Sequence, residues 1–278
     1  MSSMPTMRNS LQFLRLYLFA VALSILVAPF CVRAADLSAR EVTERLFKAK
    51  GPIDLSNTNL EDLDLSHVDF KGSNLSSAKM FGVNLSNSRL ANANLENARL
   101  DRITIIGTDF DNANLSGISM LRPSTTLTRE GHGPSPPSFK KADLRKAKIF
   151  GQLSRSDFSF ANLEGASLAP FSKTGFIEDL FRTELEGANL EGANLSLSDL
   201  TYVSFRFANL KGINFRGAKL HHVDFSKSDL SGADFTDADV TEADFDGSIL
   251  ESVKGLDHLK GRDRAFNLKI PHVLEGEE

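Results

Sequence analysis

Catalysis and metal binding need convergent titratable side chains, and this sequence supplies few of them. It holds 6 His and 1 Cys in 278 residues. The histidines are His67, His132, His221, His222, His258 and His272. The one suggestive set is His221-His222 with Glu242, which a twenty-residue repeat would place beside His222. A metal needs three or four converging ligands, and adjacent residues at a chain corner diverge. No phosphate loop, H-E-x-x-H or G-x-S-x-G is present. The Asn-x-Ser sequons at Asn74, Asn84, Asn114 and Asn194 fall out of a repeat and carry no separate message. The reading is therefore a protein with no catalytic residue, metal or cofactor.

The elements that position the remaining side chains come from one short period. Leu or Phe, with an occasional Ile, Met or Val, recurs every fifth residue from Leu55 to Met120 and again from Leu185 to Leu250. A broken stretch keeps the unit at Leu144, Ile149, Leu153, Phe158, Leu163 and Leu168, with one residue lost between Ile149 and Leu153. Two residues before each centre stands a small or short residue, and Asn or Asp commonly lies between. On an α-helix five residues advance roughly 500°, which makes no stripe. On a flat strand an odd period sends successive centres to opposite faces. If each unit makes a short strand and then turns by about a quarter, all centres point to one axis and four units close a coil. The 21 Phe against 0 Trp fit a repeated slot, with Phe205, Phe225 and Phe245 stacked and Phe215 above Phe235.

Units such as Ala93-Asn94-Leu95-Glu96-Asn97 and Ala193-Asn194-Leu195-Ser196-Leu197 resemble the pentapeptide repeat family. The resemblance runs over 52–252 and implies an all-β fold, the right-handed quadrilateral β-helix, with short helical caps at the ends. Its handedness comes from the family alone. One branch of that family consists of acidic rods that mimic DNA and modulate type II topoisomerases.

The flanks and interruptions carry the other information. Residues 1–34 read as a signal peptide: Arg8 and Arg15, an apolar run Leu16–Phe30, then Val32-Arg33-Ala34. An uncleaved anchor is the alternative, although the run is short for a span. Cleavage leaves a chain without cysteine, exported and most consistent with a bacterial periplasm. Residues 35–51 are predicted to form a capping helix, opened by the capping box Ser38-Ala39-Arg40-Glu41 and stopped by Gly51-Pro52. Insertions are predicted at 121–140, rich in Pro and Gly, and at 169–182. Residues 253–278 form a C-terminal cap and tail.

Function is expected at outward positions. The candidate interaction residues are Phe81, Ile106, Arg122, Arg129, His132, Tyr202 and Phe207. They fit a protein or envelope-component partner, with no nucleic acid and no stable membrane insertion after signal cleavage; the oligomeric state is left open. Net charge is -4, with 32 Lys+Arg against 36 Asp+Glu, which disfavours a basic nucleic-acid binder. Residues 121–182 are net positive, and 224–251 carry nine acids with Lys227 as the only base. The reading is a non-catalytic exported scaffold. The DNA-mimic modulator of topoisomerase is its rival.

Overall fold

The computed structural model describes residues 35–125, 135–169 and 182–269. The signal segment, Arg129, His132, the body of the 169–182 insertion and the acidic tail lie outside the described residues. Parallel bridges join Asp54 to Asn74, Asn59 to Lys79, Asp64 to Asn84 and Asp69 to Arg89, and steps of twenty residues recur along the chain. We call the four resulting ladders faces A, B, C and D, after those first residues. Together they form a repeat solenoid of extended segments and turns.

Each unit follows one local plan. The residue before the centre bridges the adjoining coil, and the centre points inward: Leu55, Leu60, Leu65 and Phe70 are all buried. The bridging Asp or Asn also accepts the backbone N–H two residues on, as Asp54 Oδ1 does from Ser56 at 2.9 Å. The second corner residue takes a left-handed conformation, for example Asn57 at φ 56° and Asn92 at φ 61°. Asn tolerates that region better than other side chains, so Asn recurs there. On face A the amides build their own ladder: Asn94 Nδ2 donates to Asn74 Oδ1 at 3.2 Å, and Asn114 Nδ2 to Asn94 Oδ1 at 3.0 Å.

Aromatic columns fill the interior. Phe110, Phe139 and Phe158 stack at 5.0 and 4.6 Å, nearly parallel. Phe205, Phe225 and Phe245 stack at 5.7 and 5.1 Å, and Phe215 lies 5.1 Å from Phe235. Phe139 corrects the predicted insertion at 121–140. The coil continues through β1 (Ser119–Leu121) and the bridge of Ser124 to Thr104, and it resumes when Ser138 pairs with Asp109. β1 pairs in parallel with β2 (Lys148–Phe150), with Met120 opposite Ile149. Pro123 and Pro137 read as breakers, yet both are buried in the small inward slot. Elsewhere the N–H at that slot only closes the corner onto the preceding centre's carbonyl, as Ala98 to Leu95 at 2.9 Å and Thr58 to Leu55 at 3.4 Å, so a proline there gives up one local turn bond and no backbone bridge between coils. Asp111 anchors the return, accepting from Ser138 Oγ at 2.5 Å and from the Lys140 N–H at 3.0 Å.

The ends differ. At the front, α1 (Ala39–Lys48) carries a complete Ser38–Glu41 capping box and buries Val42 and Leu46 on the first coil. Lys71 of that coil reaches back, its Nζ donating to the Leu46 and Ala49 carbonyls at 2.6 and 3.0 Å. At the back, two 3-10 turns, Leu256–His258 and Arg262–Arg264, follow Gly255 (φ 79°) and Gly261 (φ 68°). The bridges Asp239–Lys260 and Asp244–Phe266 are accordingly longer in sequence than twenty residues. A Cβ on Gly255 would lie 2.4 Å from the Thr236 nitrogen, so glycine is required there.

Candidate interaction face

In a regular coil, departures from regularity mark what the core does not demand, and here they gather round face C. The first interruption follows Ser124, a face-C residue, and the second ends at Glu184, another. The four-residue unit Phe150-Gly151-Gln152-Leu153 turns from face B onto face C. Gly151 sits at φ 147°, and a Cβ there would meet Pro123 Cδ at 2.9 Å. Losing one residue therefore pulls the corner tight, and glycine absorbs the strain.

The result is a cleft of about 270 Å³ lined by Arg122, Pro123, Phe150, Gly151, Gln152, Arg182 and Glu184. Backbone bonds fix its walls: the Arg122 N–H donates to the Phe150 carbonyl at 2.6 Å, and the Glu184 N–H to the Gly151 carbonyl at 3.0 Å. Two guanidinium groups, an amide and a carboxylate over an apolar floor suit polar recognition of a partner side chain.

The candidate residues distribute unevenly about this face. Arg122 lines the cleft. Phe81 and Tyr202 occupy the same B–C corner in other coils. The Phe81 ring lies 5.7 Å from the Arg102 guanidinium. Tyr202 stacks on His222 at 4.5 Å with planes 2° apart. Phe207 stands on the C–D corner, half exposed, between Arg206 at 5.5 Å and Lys227 at 5.3 Å. Ile106 does not belong to the set. It is fully buried, although it is not part of the central core cluster. The Gly107 N–H beside it donates to the Ser135 carbonyl at 2.7 Å, so the returning chain runs along that corner.

The two adjacent histidines diverge. His221 Nε2 lies 2.9 Å from Asp239, while His222 Nδ1 lies 3.0 Å from Glu242. Glu242 also pairs with Arg264 of the last 3-10 turn, tying the corner to the C-terminal cap.

A systematic feature was not foreseen from the sequence. Arg206, Lys211, Arg216 and His221 approach Asp224, Asp229, Asp234 and Asp239 of the next coil at 3.9, 3.1, 3.4 and 2.9 Å. One pair stands on each face. Burial would raise the carboxyls of Asp229, Asp234 and Asp239. Hydrogen bonds from the Ser or Thr two residues on, together with the basic neighbour, outweigh it and hold all three below the ordinary range. The signal was legible as base-to-acid spacing of eighteen residues.

Residues 53–87, 78–117, 179–217 and 213–251 match the profile described as Pentapeptide repeats, in 8 copies. The chain belongs to the pentapeptide repeat family. No curated protein matches it. Similar solved structures include HetL, a pentapeptide repeat protein involved in heterocyst differentiation regulation from the cyanobacterium Nostoc sp. strain PCC 7120. It is 23% identical, covers 83% of this chain and 100% of its own, and gives a TM-score of 0.35. A pentapeptide repeat protein from the Arabidopsis thaliana thylakoid lumen is 24% identical over 44% of this chain and 70% of its own, TM-score 0.25. QnrB1, a plasmid-mediated fluoroquinolone resistance protein, is 18% identical over 76% of this chain and 93% of its own, TM-score 0.28.

On this pentapeptide repeat protein, four apolar side chains among the described residues stand in left-handed corners: Phe160, Leu197, Tyr202 and Phe207. Tyr202 and Phe207 were singled out from the sequence. Leu197 and Phe160 are not among the sequence candidates. Phe160 occupies the same corner slot two residues after its centre, Phe158, so the spacing alone would have found it.

Proposed function

We propose that this chain is a non-catalytic exported scaffold with the family's right-handed, four-sided β-helix, and that face C holds a protein or envelope component. One observation carries the reading: both interruptions and the shortened unit border the same face, where Arg122, Tyr202 and Phe207 also stand. Loops and strained corners on a rigid framework are where binding residues concentrate. Export rests on the N-terminal segment, whose basic start, apolar run and Val32-Arg33-Ala34 suit a cleaved signal.

The test is site-specific photocrosslinking in cells. A photoreactive residue in place of Phe207 or Gln152 should capture a partner in the envelope fraction, while one in place of Asn94 on face A should not. Capture only in the cytoplasm would overturn the export reading, and equal capture at all three sites would overturn face C. The DNA-mimic reading draws on the acidic distal end. Three of its nine acids, Asp224, Asp229 and Asp234, face Arg206, Lys211 and Arg216 of the coil before, which interrupts the anionic surface that a DNA mimic would present as continuous columns. Inhibition in a DNA supercoiling assay at micromolar protein would favour it instead.

A further inference from the structure

The corner between faces D and A holds a second surface, separate from face C. Among the described residues, Phe160, Leu197, Tyr202 and Phe207 are the apolar side chains in left-handed corners; elsewhere that slot is polar or glycine. A bulky apolar residue pays strain in this conformation and gains no place in the core, so a use at the surface is indicated. Phe160 is 59% exposed, and its ring lies on Gly192 of the next coil. A Cβ on Gly192 would be 2.7 Å from both Cδ1 and Cε1 of that ring. The ring is thus supported on one side and open on the other.

Amide ladders run along both sides of it. On face A, Asn194 Nδ2 donates to Asn162 Oδ1 at 3.1 Å and Asn214 Nδ2 to Asn194 Oδ1 at 3.0 Å. On face D, Asn189 Nδ2 donates to Asp157 at 3.3 Å and Asn209 Nδ2 to Asn189 Oδ1 at 3.0 Å. A carboxamide has two N–H donors. The ladder uses one, which leaves a second on Asn189, Asn194 and Asn214; that of Asn209 goes to Glu191 at 3.3 Å. Lys140 pairs with Asp157 at 3.3 Å and Lys211 with Asp229 at 3.1 Å, and the corner also carries Lys141 and Glu191, so neither sign of charge dominates. Beyond Gly192 the corner continues as Gly212, where no side chain stands in the way. Glycines alone would be only a smooth edge; the ring and the amides make it a site.

We propose that this corner binds a linear neutral polysaccharide, one sugar stacking its C–H face on Phe160 while hydroxyls of its neighbours meet the amides of Asn194 and Asn189. Sugars combine an apolar ring face with a rim of hydroxyls, which matches an open aromatic face flanked by amides. The coil spacing of ~4.8 Å is close to the advance per residue of an extended β-linked glycan. Charges of both signs stand at the corner, Lys141 and Glu191 among them, which favours a neutral polymer over one of a single charge.

The experiment is native-gel affinity electrophoresis of the purified protein in gels cast with glycol chitin or hydroxyethyl cellulose. At least one polymer should retard it, and retardation should survive about 0.5 M NaCl, where exposed charges are screened. Phe160→Ala should weaken apparent affinity about tenfold or more, a loss of about 1.4 kcal/mol. Phe47→Ala, which removes an exposed ring on α1 that belongs to neither proposed surface, should leave affinity unchanged. If Phe160→Ala alters the far-UV spectrum, Asn194→Asp replaces it, removing the amide without touching the ring. The proposal is overturned if neither polymer retards the protein, if salt abolishes retardation, or if the folded corner variant binds as well as the parent. Polymer retardation reads this corner and crosslinked partner capture reads face C, so failure here is distinguishable from failure of the face-C reading.

Discussion

Truncating Phe225 to alanine tests the inward and outward assignments together. Phe225 is fully buried, with Phe205, Phe215, Phe235 and Phe245 at centroid distances of 5.7, 5.7, 5.9 and 5.1 Å. A buried Phe→Ala change costs about 3–5 kcal/mol through lost transfer energy and the residual cavity. Ring pairs add about 0.5–1.5 kcal/mol beyond area. Four of them place Phe225→Ala at the upper end, near 5 kcal/mol, since a stacked column cannot collapse into the gap without shifting whole coils. The comparison is Asp224→Ala, one residue away and facing outward. Asp224 accepts the Ser226 N–H at 2.9 Å and sits 3.9 Å from Arg206, so its loss should cost about 1 kcal/mol. Urea unfolding followed by far-UV circular dichroism reads both. Because coils interact with nearest neighbours, Phe225→Ala should also separate a distal phase that melts first. Losses within about 1 kcal/mol of each other would refute the assignment.

Three further outcomes follow from named contacts. Asp157, Asp229, Asp234 and Asp239 have carboxyls held below the ordinary range, so their stabilisation is complete above about pH 4–5 and is lost as pH falls through the depressed values. The urea midpoint should therefore be flat from pH 8 to about 5 and drop below about 4, less steeply once Asp229, Asp234 and Asp239 are changed to Asn. Replacing residues 126–134 with a short Gly-Ser linker should leave the midpoint within about 0.5 kcal/mol of the parent, because Thr125 and Ser138 already belong to the coil. A wider cut from Pro123 to Pro137 should instead destabilise, since both prolines are buried; equal behaviour of the two deletions would contradict the corrected boundary. Gly255→Ala should loosen the last coil by about 2 kcal/mol or more, seen as faster hydrogen exchange at Lys260 and Phe266, because the added Cβ meets the Thr236 backbone.

Why the repeat was legible and the surface was not has a physical basis. A five-residue period with a small and a large inward residue admits few backbones, so the Phe205–Phe225–Phe245 column could be placed from spacing alone. Phe139 escaped because Pro134, Pro136 and Pro137 stand directly before it, and proline normally signals a break. Only the backbone shows that Pro123 and Pro137 occupy a slot whose N–H bonds within its own corner and carries no backbone bridge between coils. Ile106 escaped for the opposite reason. Its position in the unit is outward, and burial there comes from chain returning after the first interruption, which no period encodes.

The same logic says where function can be written on such a chain. The inward residues are committed to packing, and the bridging Asn and Asp residues to ladders and turns. What remains is the pair of corner residues in each unit. The second of these is restrained by its left-handed conformation, which favours Gly, Asn and Asp. A Phe, Tyr or Leu in that slot runs against the local preference, and in the three corners from Leu197 to Phe207 it does so in consecutive units of one coil. Core packing cannot explain them, since Leu197 remains 67% exposed and Phe207 48%. Solubility opposes them. Binding is the remaining physical reason to keep them, and the two corners that flank face C, together with Phe160 on the far corner, are where it should be sought.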